Sequence, residues 1–317
     1  MDNSDKFLGC LVGLAVGDAL GTTLEFTSYE EAQANPVSDI VGGGPFKVPV
    51  GCWTDDTSMA LCIADSLIEK KSFDAIDIMR KFSKWYRHGY NSPMGYCFDI
   101  GMATASAIRY FETHGAFIKD ADAAGNGAIM RLAPIPMMYC NNLVKCNTYS
   151  KLNSIITHPS PQSIGSSIYM GWIISSLLNG ESKDNVLESQ YSTESQYWAM
   201  DEEMSHPSVW DIINQTYKDK KPGVPGGIVG SGYVISCLES ALWAFESTDN
   251  FRDGALKAVN LGNDADTTGA VYGQIAGAYY GLSGIPEEWV NKIVKIDEIK
   301  LRANKLYELS KNGIDRI

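Results

Sequence analysis

Residues 264–281 read DADTTGAVYGQIAGAYYG, and near the other end of the chain residues 9–21 read GCLVGLAVGDALG. Gly9, Gly13, Gly17 and Gly21 recur every fourth residue, and so do Gly269, Gly273, Gly277 and Gly281. A spacing of four puts each set on one face of an α-helix. Glycine inside a helix costs roughly 0.5–1 kcal/mol relative to alanine, so two such faces need an offsetting gain, most simply close backbone approach. Both helices are expected to be central and to pack on each other or on a shared neighbour. The glycines themselves read as small-residue packing without a chemical role.

The rest of the chain extends this picture. Apolar residues recur at helical spacing, while sustained period-two alternation of β-branched residues is hard to find. The fold is expected to be all-α. Thr54-Asp55-Asp56-Thr57 precedes Met59, Ala60, Ile63 and Leu67, which reads as a capped amphipathic helix with acids in its first turn. Ser72 is placed to cap the next helix, whose stripe is Ile76, Met79, Phe82 and Tyr86. Further helices are expected at about 99–112, 163–178, 232–246, 251–260, 266–280 and 286–310. Loops are marked by Gly42-Gly43-Gly44-Pro45, by Pro134 and Pro136, by Pro159 and Pro161, and by residues 222–227. No polar or low-complexity stretch reads as a linker, so residues 1–317 are expected to form one domain.

Composition narrows the function classes. With 317 residues and 44% hydrophobic content the chain can bury a large core. Lys+Arg is 26 against Asp+Glu 38, a net charge of -12, which repels nucleic acid and anionic membrane at long range. The seven cysteines show no CxxC spacing and read as reduced core residues of a cytoplasmic protein. The opening MDNSDKF lacks the features of a secretory signal. Residues 163–180 and 267–286 are uncharged or nearly so, but their serines and glycines favour buried helices over membrane spans. The chain is expected to act as a monomer.

The chemistry gathers beside the glycine helices. Thr54-Asp55-Asp56 and Asp264-Ala265-Asp266-Thr267-Thr268, with Asp18 and Glu25 near the end of the first helix, form an oxygen-only donor set without His or Cys. Such a set suits Mg²⁺ or Mn²⁺ rather than zinc. Either motif alone is more often a helix cap. Together they are harder to read that way, because several unpaired carboxylates near a core must take a metal or take up protons. The Asp264-x-Asp266-x-Thr268 spacing also occurs in phosphatases of the haloacid-dehalogenase type. There it follows a buried strand early in an α/β domain, whereas here it opens a helix with only about fifty residues left. Gly125-Asn126-Gly127-Ala128 joins a turn to a helix start, where backbone N–H groups can cradle a phosphate, although such a turn is more often a plain connection.

These residues resemble a known family. Gly17-Asp18-Ala19-Leu20-Gly21 with Glu25, Trp53-Thr54-Asp55-Asp56-Thr57, Phe98-Asp99-Ile100-Gly101, Gly125-Asn126-Gly127 with Met130-Arg131, Thr157-His158-Pro159 and Leu261 to Thr267 are similar, in order, to segments of the ADP-ribosylglycohydrolases. The resemblance implies a single compact, orthogonal all-α domain with a binuclear Mg²⁺ or Mn²⁺ centre that removes ADP-ribose from a modified group. By the same resemblance Thr54, Asp55, Asp56, Asp264, Asp266 and Thr267 would be metal ligands. Glu25 would stand at the edge of the centre, and Asp99 matches an acid/base candidate. Gly125, Asn126, Gly127 and Ala128 would hold the diphosphate, His158 would contact the nucleotide, and Gly232 and Tyr233 would approach the adenine. Two positions depart from the pattern: Met102 stands where many relatives carry Asn, and Asn263 where Asp is frequent. His88, His114 and His206 read as structural.

The implied substrate is an ADP-ribosylated protein, with the arginine guanidinium first among the linkages. Serine-linked or O-acetyl ADP-ribose, another small ADP-ribosyl conjugate, and a non-catalytic structural relative of the fold are the alternatives. The intact acid set favours an enzyme.

Overall fold

A computed structural model describes residues 3–119, 122, 124–188 and 206–311. Among these the chain is helical, and its only β pairings are three isolated bridges, Gly43 with Val48, Gly125 with Tyr233 and Pro222 with Ile228. In chain order the helices are α1 Asn3–Gly21, α2 Tyr29–Ala34, α3 Asp55–Lys70, α4 Ala75–His88, α5 Met102–His114, α6 Pro134–Tyr139, α7 Leu143–Ile155 and α8 Pro161–Leu178. They continue with α9 Lys183–Glu188, α10 Pro207–Ile213, α11 Val234–Glu246, α12 Phe251–Val259, α13 Ala265–Tyr280, α14 Glu287–Val290 and α15 Ile296–Lys311.

The two glycine helices pack on each other. α1 and α13 run antiparallel with Gly9 against Gly277, Gly13 against Gly273 and Gly17 against Gly269, and a Cβ added at any of the six would fall inside the van der Waals shell of the facing carbonyl oxygen. Gly21 meets the backbone of Ala265 in the same register. Gly281 ends α13 with φ +74°, and its carbonyl carbon still faces Gly9 across the seam. This backbone-to-backbone seam is the return on eight poor helix formers. It also sets the acids, because it lays the C-terminal end of α1, which carries Asp18 and is followed by Glu25, beside the N-terminus of α13.

Asp18 then fixes the next element. Its carboxylate accepts from the Thr54 N–H (2.9 Å), Thr54 Oγ1 (3.0 Å), the Thr57 N–H (3.0 Å) and Thr57 Oγ1 (2.6 Å). Thr54 occupies the N-cap position of α3 but makes no side-chain cap bond itself. The helix is capped across space by α1, so Asp55 and Asp56 are oriented by the glycine seam. A buried Gln274 on α13 does similar work for the segment before α6: its Oε1 accepts from the Ala133 N–H (2.7 Å), and its Nε2 donates to the carbonyls of Met130 (2.8 Å) and Ile129 (3.1 Å).

Several local expectations need correction. α4 is capped by Asp74, which accepts from the Asp77 N–H, rather than by Ser72. Its buried face is Ile78, Met79, Phe82 and Trp85, leaving Ile76 exposed and Tyr86 half-buried. Pro134 and Pro161 begin helices α6 and α8, a position where proline's missing N–H costs nothing, and Pro136 lies within α6. α5 starts at Met102 because Asp99 takes φ +49°. The single helix expected over 286–310 breaks into α14 and α15, where Lys295 takes φ +53° and the Val294 N–H bonds the Gly51 carbonyl (3.0 Å). All seven cysteines are free, and all but Cys97 are buried. Residues 163–180 are largely within buried α8. Among the described residues one segment, Asn3–Leu24, is long and apolar enough to cross a membrane, and its most apolar stretch is 89% buried inside the protein.

The seam is open to a direct test. Gly17→Ala should destabilise the protein at or beyond the ~1–3 kcal/mol usual for overpacking, since the clash is with backbone. Gly101→Ala, where an added Cβ meets nothing within 4 Å, should stay within about 0.5 kcal/mol of the parent. Chemical denaturation compares the two, and similar midpoints would contradict the seam.

Candidate functional site

The acids named from the sequence converge on the floor of one cleft of about 560 Å³. Its lining includes Glu25, Asp55, Asp99, Asp264, Asp266 and Thr267 together with Gly125, Asn126, Gly127, His158 and Gly232, and the two sets meet where Asn126 Nδ2 donates to Asp264 (2.8 Å). Thr54, Asp56 and Ala128 lie behind this surface, and Tyr233 stands outside it, 39% exposed, bridged to Gly125.

Asp18, Glu25, Asp56 and Asp266 are buried, as is Asp55, while Asp99 and Asp264 are half-buried. Carboxylate oxygens of Asp18, Asp56 and Asp266 lie within 4.8 Å of one another, and so do those of Glu25, Asp264 and Asp266. Among the described residues no Lys or Arg forms an ion pair with any of these seven acids. Their partners are neutral donors. Thr267 Oγ1 donates to Asp56 (3.2 Å), the Ala265 N–H to Glu25 (3.0 Å), and Asn126 Nδ2 to Asp264 (2.8 Å).

Burial and mutual repulsion therefore push Asp18, Glu25, Asp55, Asp56, Asp99 and Asp264 up. Asp18 and Asp264 rise to about 7, in both cases through burial first and the Asp266 charge second. Asp99 rises to about 11 through burial and then Asp55, and Glu25, Asp55 and Asp56 are raised strongly, chiefly by burial. An oxygen-only cluster that cannot ionise fully without a positive partner fits a divalent cation of the hard class. Arg131, the buried cation nearest in kind, is spent elsewhere. Its guanidinium donates to the Gly127 carbonyl (2.5 Å), the Asn153 carbonyl (3.3 Å) and Thr157 Oγ1 (2.6 Å).

That last bond orders the His158 wall of the cleft. Thr157 Oγ1 also lies 2.8 Å from His158 Nδ1. Arginine can only donate, so the threonine hydroxyl has its hydrogen free for Nδ1, which leaves His158 neutral with hydrogen on Nε2. Burial and Arg131 push the imidazolium form down to about 3. A Cβ on Gly127 would stand 2.6 Å from His158 Cε1 and 3.0 Å from Nε2, so only glycine lets the ring reach this wall.

Other assignments shift. Asn126 lines the cleft, but its amide is committed to Asp264 and to the Ser231 carbonyl (3.2 Å), and its N–H to the Gly232 carbonyl (3.0 Å), so it joins the two loops. Asn263 does not line the cleft. It takes φ +56° and exchanges backbone bonds with Phe26 and Thr27, a conformation that both Asn and Asp tolerate. The sequence reading did not single out Phe26, which lines the cleft at φ +59°, a strained state for an aromatic residue that costs on the order of 1–3 kcal/mol.

The raised carboxyls fix the sign of a pH effect. Asp18 and Asp264 hold protons in the folded cation-free protein up to about pH 7 but lose them near 3.8 when unfolded. Folding binds protons in that window, so the stability of the chelator-treated protein should fall as pH rises from about 5 to about 7. Saturating Mg²⁺ should remove most of that fall. Thermal melts across this range test it, and a chelated protein that gains stability with pH would contradict the cluster's electrostatics.

Comparison with known proteins bears on these features. The family model described as ADP-ribosylglycohydrolase matches residues 1–315. The chain is similar to the ADP-ribosylarginine hydrolase Tri1 of Serratia proteamaculans, 42% identical over 98% of this chain and 81% of that one. It is also similar to the ADP-ribosyl-dinitrogen reductase glycohydrolase of Rhodospirillum rubrum, 31% identical over 98% of each. A solved structure titled ADP-ribosylglycohydrolase-related protein complex superposes with a TM-score of 0.84 at 35% identity, covering 98% of this chain and 99% of that one. With the acid clusters and the helical fold in place, the chain belongs to the ADP-ribosylglycohydrolase family.

Proposed function

We propose that this protein hydrolyses the N-glycosidic bond between ADP-ribose and the arginine guanidinium of a modified protein, with two divalent cations, Mg²⁺ or Mn²⁺, in its acid cluster. The observation that carries the proposal is what the cleft brings together: five carboxylates in its lining, joined through Asn126 to a glycine turn that packs on His158. Crowded carboxylates suit a reaction that builds positive charge at the ribose C1″, and a glycine turn suits a diphosphate. The similarity to arginine-specific hydrolases supports the choice of linkage.

Thr54, Asp55, Asp56, Asp264, Asp266 and Thr267 would hold the cations, with Glu25 at their edge. Bound there, the cations would supply Lewis acidity toward a water and the ribose hydroxyls. Asp18 carries four hydrogen bonds from Thr54 and Thr57 and serves as the post that keeps Asp55 and Asp56 in place. Glu25 and Asp99, both facing the cleft, are the candidates to take the proton of the attacking water. The guanidine leaves with a proton readily, so the leaving side needs little acid help. His158 would donate Nε2–H to the nucleotide from between Gly125 and Gly127, with no charge of its own to add or lose across physiological pH.

Arginine-linked, serine-linked and O-acetyl ADP-ribose, assayed side by side with Mg²⁺ and with chelator, test the proposal. Free ADP-ribose should appear from the arginine substrate and only with the cation, and Asp55→Ala and Asp264→Ala should each lose on the order of a hundredfold or more. Full release in chelator, or release confined to another linkage, would refute it.

A further inference from the structure

Phe26, in the lining of the cleft, begins a run of four neighbouring aromatic rings. Phe26 meets Phe46 edge-on at 6.1 Å, Phe46 meets Phe98 at 5.8 Å, and Phe98 meets Tyr96 at 6.0 Å. Phe26 is 69% exposed and Tyr96 55%, although aromatic rings gain most by burial. Phe26 is also held at φ +59°, by its N–H on the Asn263 carbonyl (2.6 Å) and the Asn263 N–H on the Thr27 carbonyl (2.6 Å). Two backbone bonds thus enforce a conformation that leaves a large ring unburied at the mouth of the cleft. Neither packing nor local propensity accounts for that.

The chemistry around the ring identifies what it faces. Phe26 follows Glu25 and Phe98 precedes Asp99, so two of the carboxylates in the lining have an aromatic neighbour in the chain. The cleft lining holds five carboxylates and no Lys or Arg. Exposed π faces next to acids, without a competing cation in the lining, match a planar cation carried on an apolar stem.

We infer that Phe26 and the rings behind it form the leaving-group subsite, where the guanidinium of the modified arginine stacks on Phe26 and the flanking peptide lies along Phe46, Phe98 and Tyr96. This rests on the proposed arginine linkage and adds to it a basis for discrimination. A serine or acetyl leaving group offers no planar cation, so Phe26 favours arginine alone.

Two measurements test the subsite. In the first, agmatine, a guanidinium on an alkyl chain, is titrated into the Mg²⁺-loaded protein and followed by the ring-proton resonances of Phe26. The resonances should shift, Phe26→Ala should weaken agmatine binding about tenfold, and Phe26→Trp should restore it. Phe26→Gly, which suits the positive φ and so keeps the fold, should lose agmatine as the alanine variant does. In the second, Phe26→Ala should raise KM for ADP-ribosylarginine by a similar factor, and by more than for any serine-linked or O-acetyl substrate that the parent cleaves. Agmatine that leaves Phe26 unshifted, or binds Phe26→Ala as tightly as the parent, overturns the subsite, as does an equal KM rise for every linkage. A parent that cuts no arginine linkage yet binds agmatine through Phe26 overturns only the proposed activity.

Discussion

The contact of two bare helix backbones along Gly9, Gly13, Gly17 and Gly21 is the constraint from which the site follows. Helices with ordinary side chains at the contact pack 8–10 Å apart, and side chains fill the gap. Here the carbonyl of one helix occupies the space where a Cβ of the other would be. The antiparallel register is therefore set by steric exclusion, and with it the pairing of Gly21 with Ala265. Asp18 and Glu25 consequently meet Asp264 and Asp266 although nearly the whole chain lies between them. Asp18 extends the same frame to α3 by capping it from outside.

The price of this assembly is electrostatic. Seven carboxyls face one another with neutral donors as partners, and burial raises most of them well above their ordinary range. A fold selected for stability alone would place a lysine or arginine among them. Arg131 stands close enough to feel Asp55 and Asp56, yet its hydrogen bonds run to Gly127, Asn153 and Thr157. It fixes the His158 wall and leaves the acid cluster without a permanent counter-ion. Backbone strain sits in the same place, with the bulky Phe26 held at positive φ in the cleft lining. Unspent charge and held strain at one location are what a binding site needs and what a stability-optimised core avoids.

How much of this was legible depended on the range of the interaction. The glycine repeats, the apolar stripes and the paired acid motifs are local patterns, and they led to the helical fold and to the residues of the acid cluster. Contacts between segments distant in sequence were not legible. Nothing in the sequence around Thr54 says that its helix is capped by Asp18, or that the Asn126 amide is tied to Asp264 and the Ser231 carbonyl. Positive φ at Asp99 and Lys295 shifted one helix start and broke another helix, and neither residue type announces it. Some signals were present and passed over. Ser28 and Glu31 spell a capping box for α2, which the structure shows in full, and Pro134 and Pro161, read as loop markers, each begin a helix. Phe26 could be found only in three dimensions, since its exposure and backbone strain leave no trace in composition or periodicity.

The central claim is that the glycine seam assembles a carboxylate cluster whose missing charge is supplied by divalent cations. Diffraction from crystals grown with Mn²⁺, recorded where manganese scatters anomalously, tests it most directly. Two anomalous peaks are expected among Asp55, Asp56, Asp264 and Asp266, with Thr54 and Thr267 in reach. Fully occupied manganese elsewhere on the molecule, with none among these carboxylates, would contradict it.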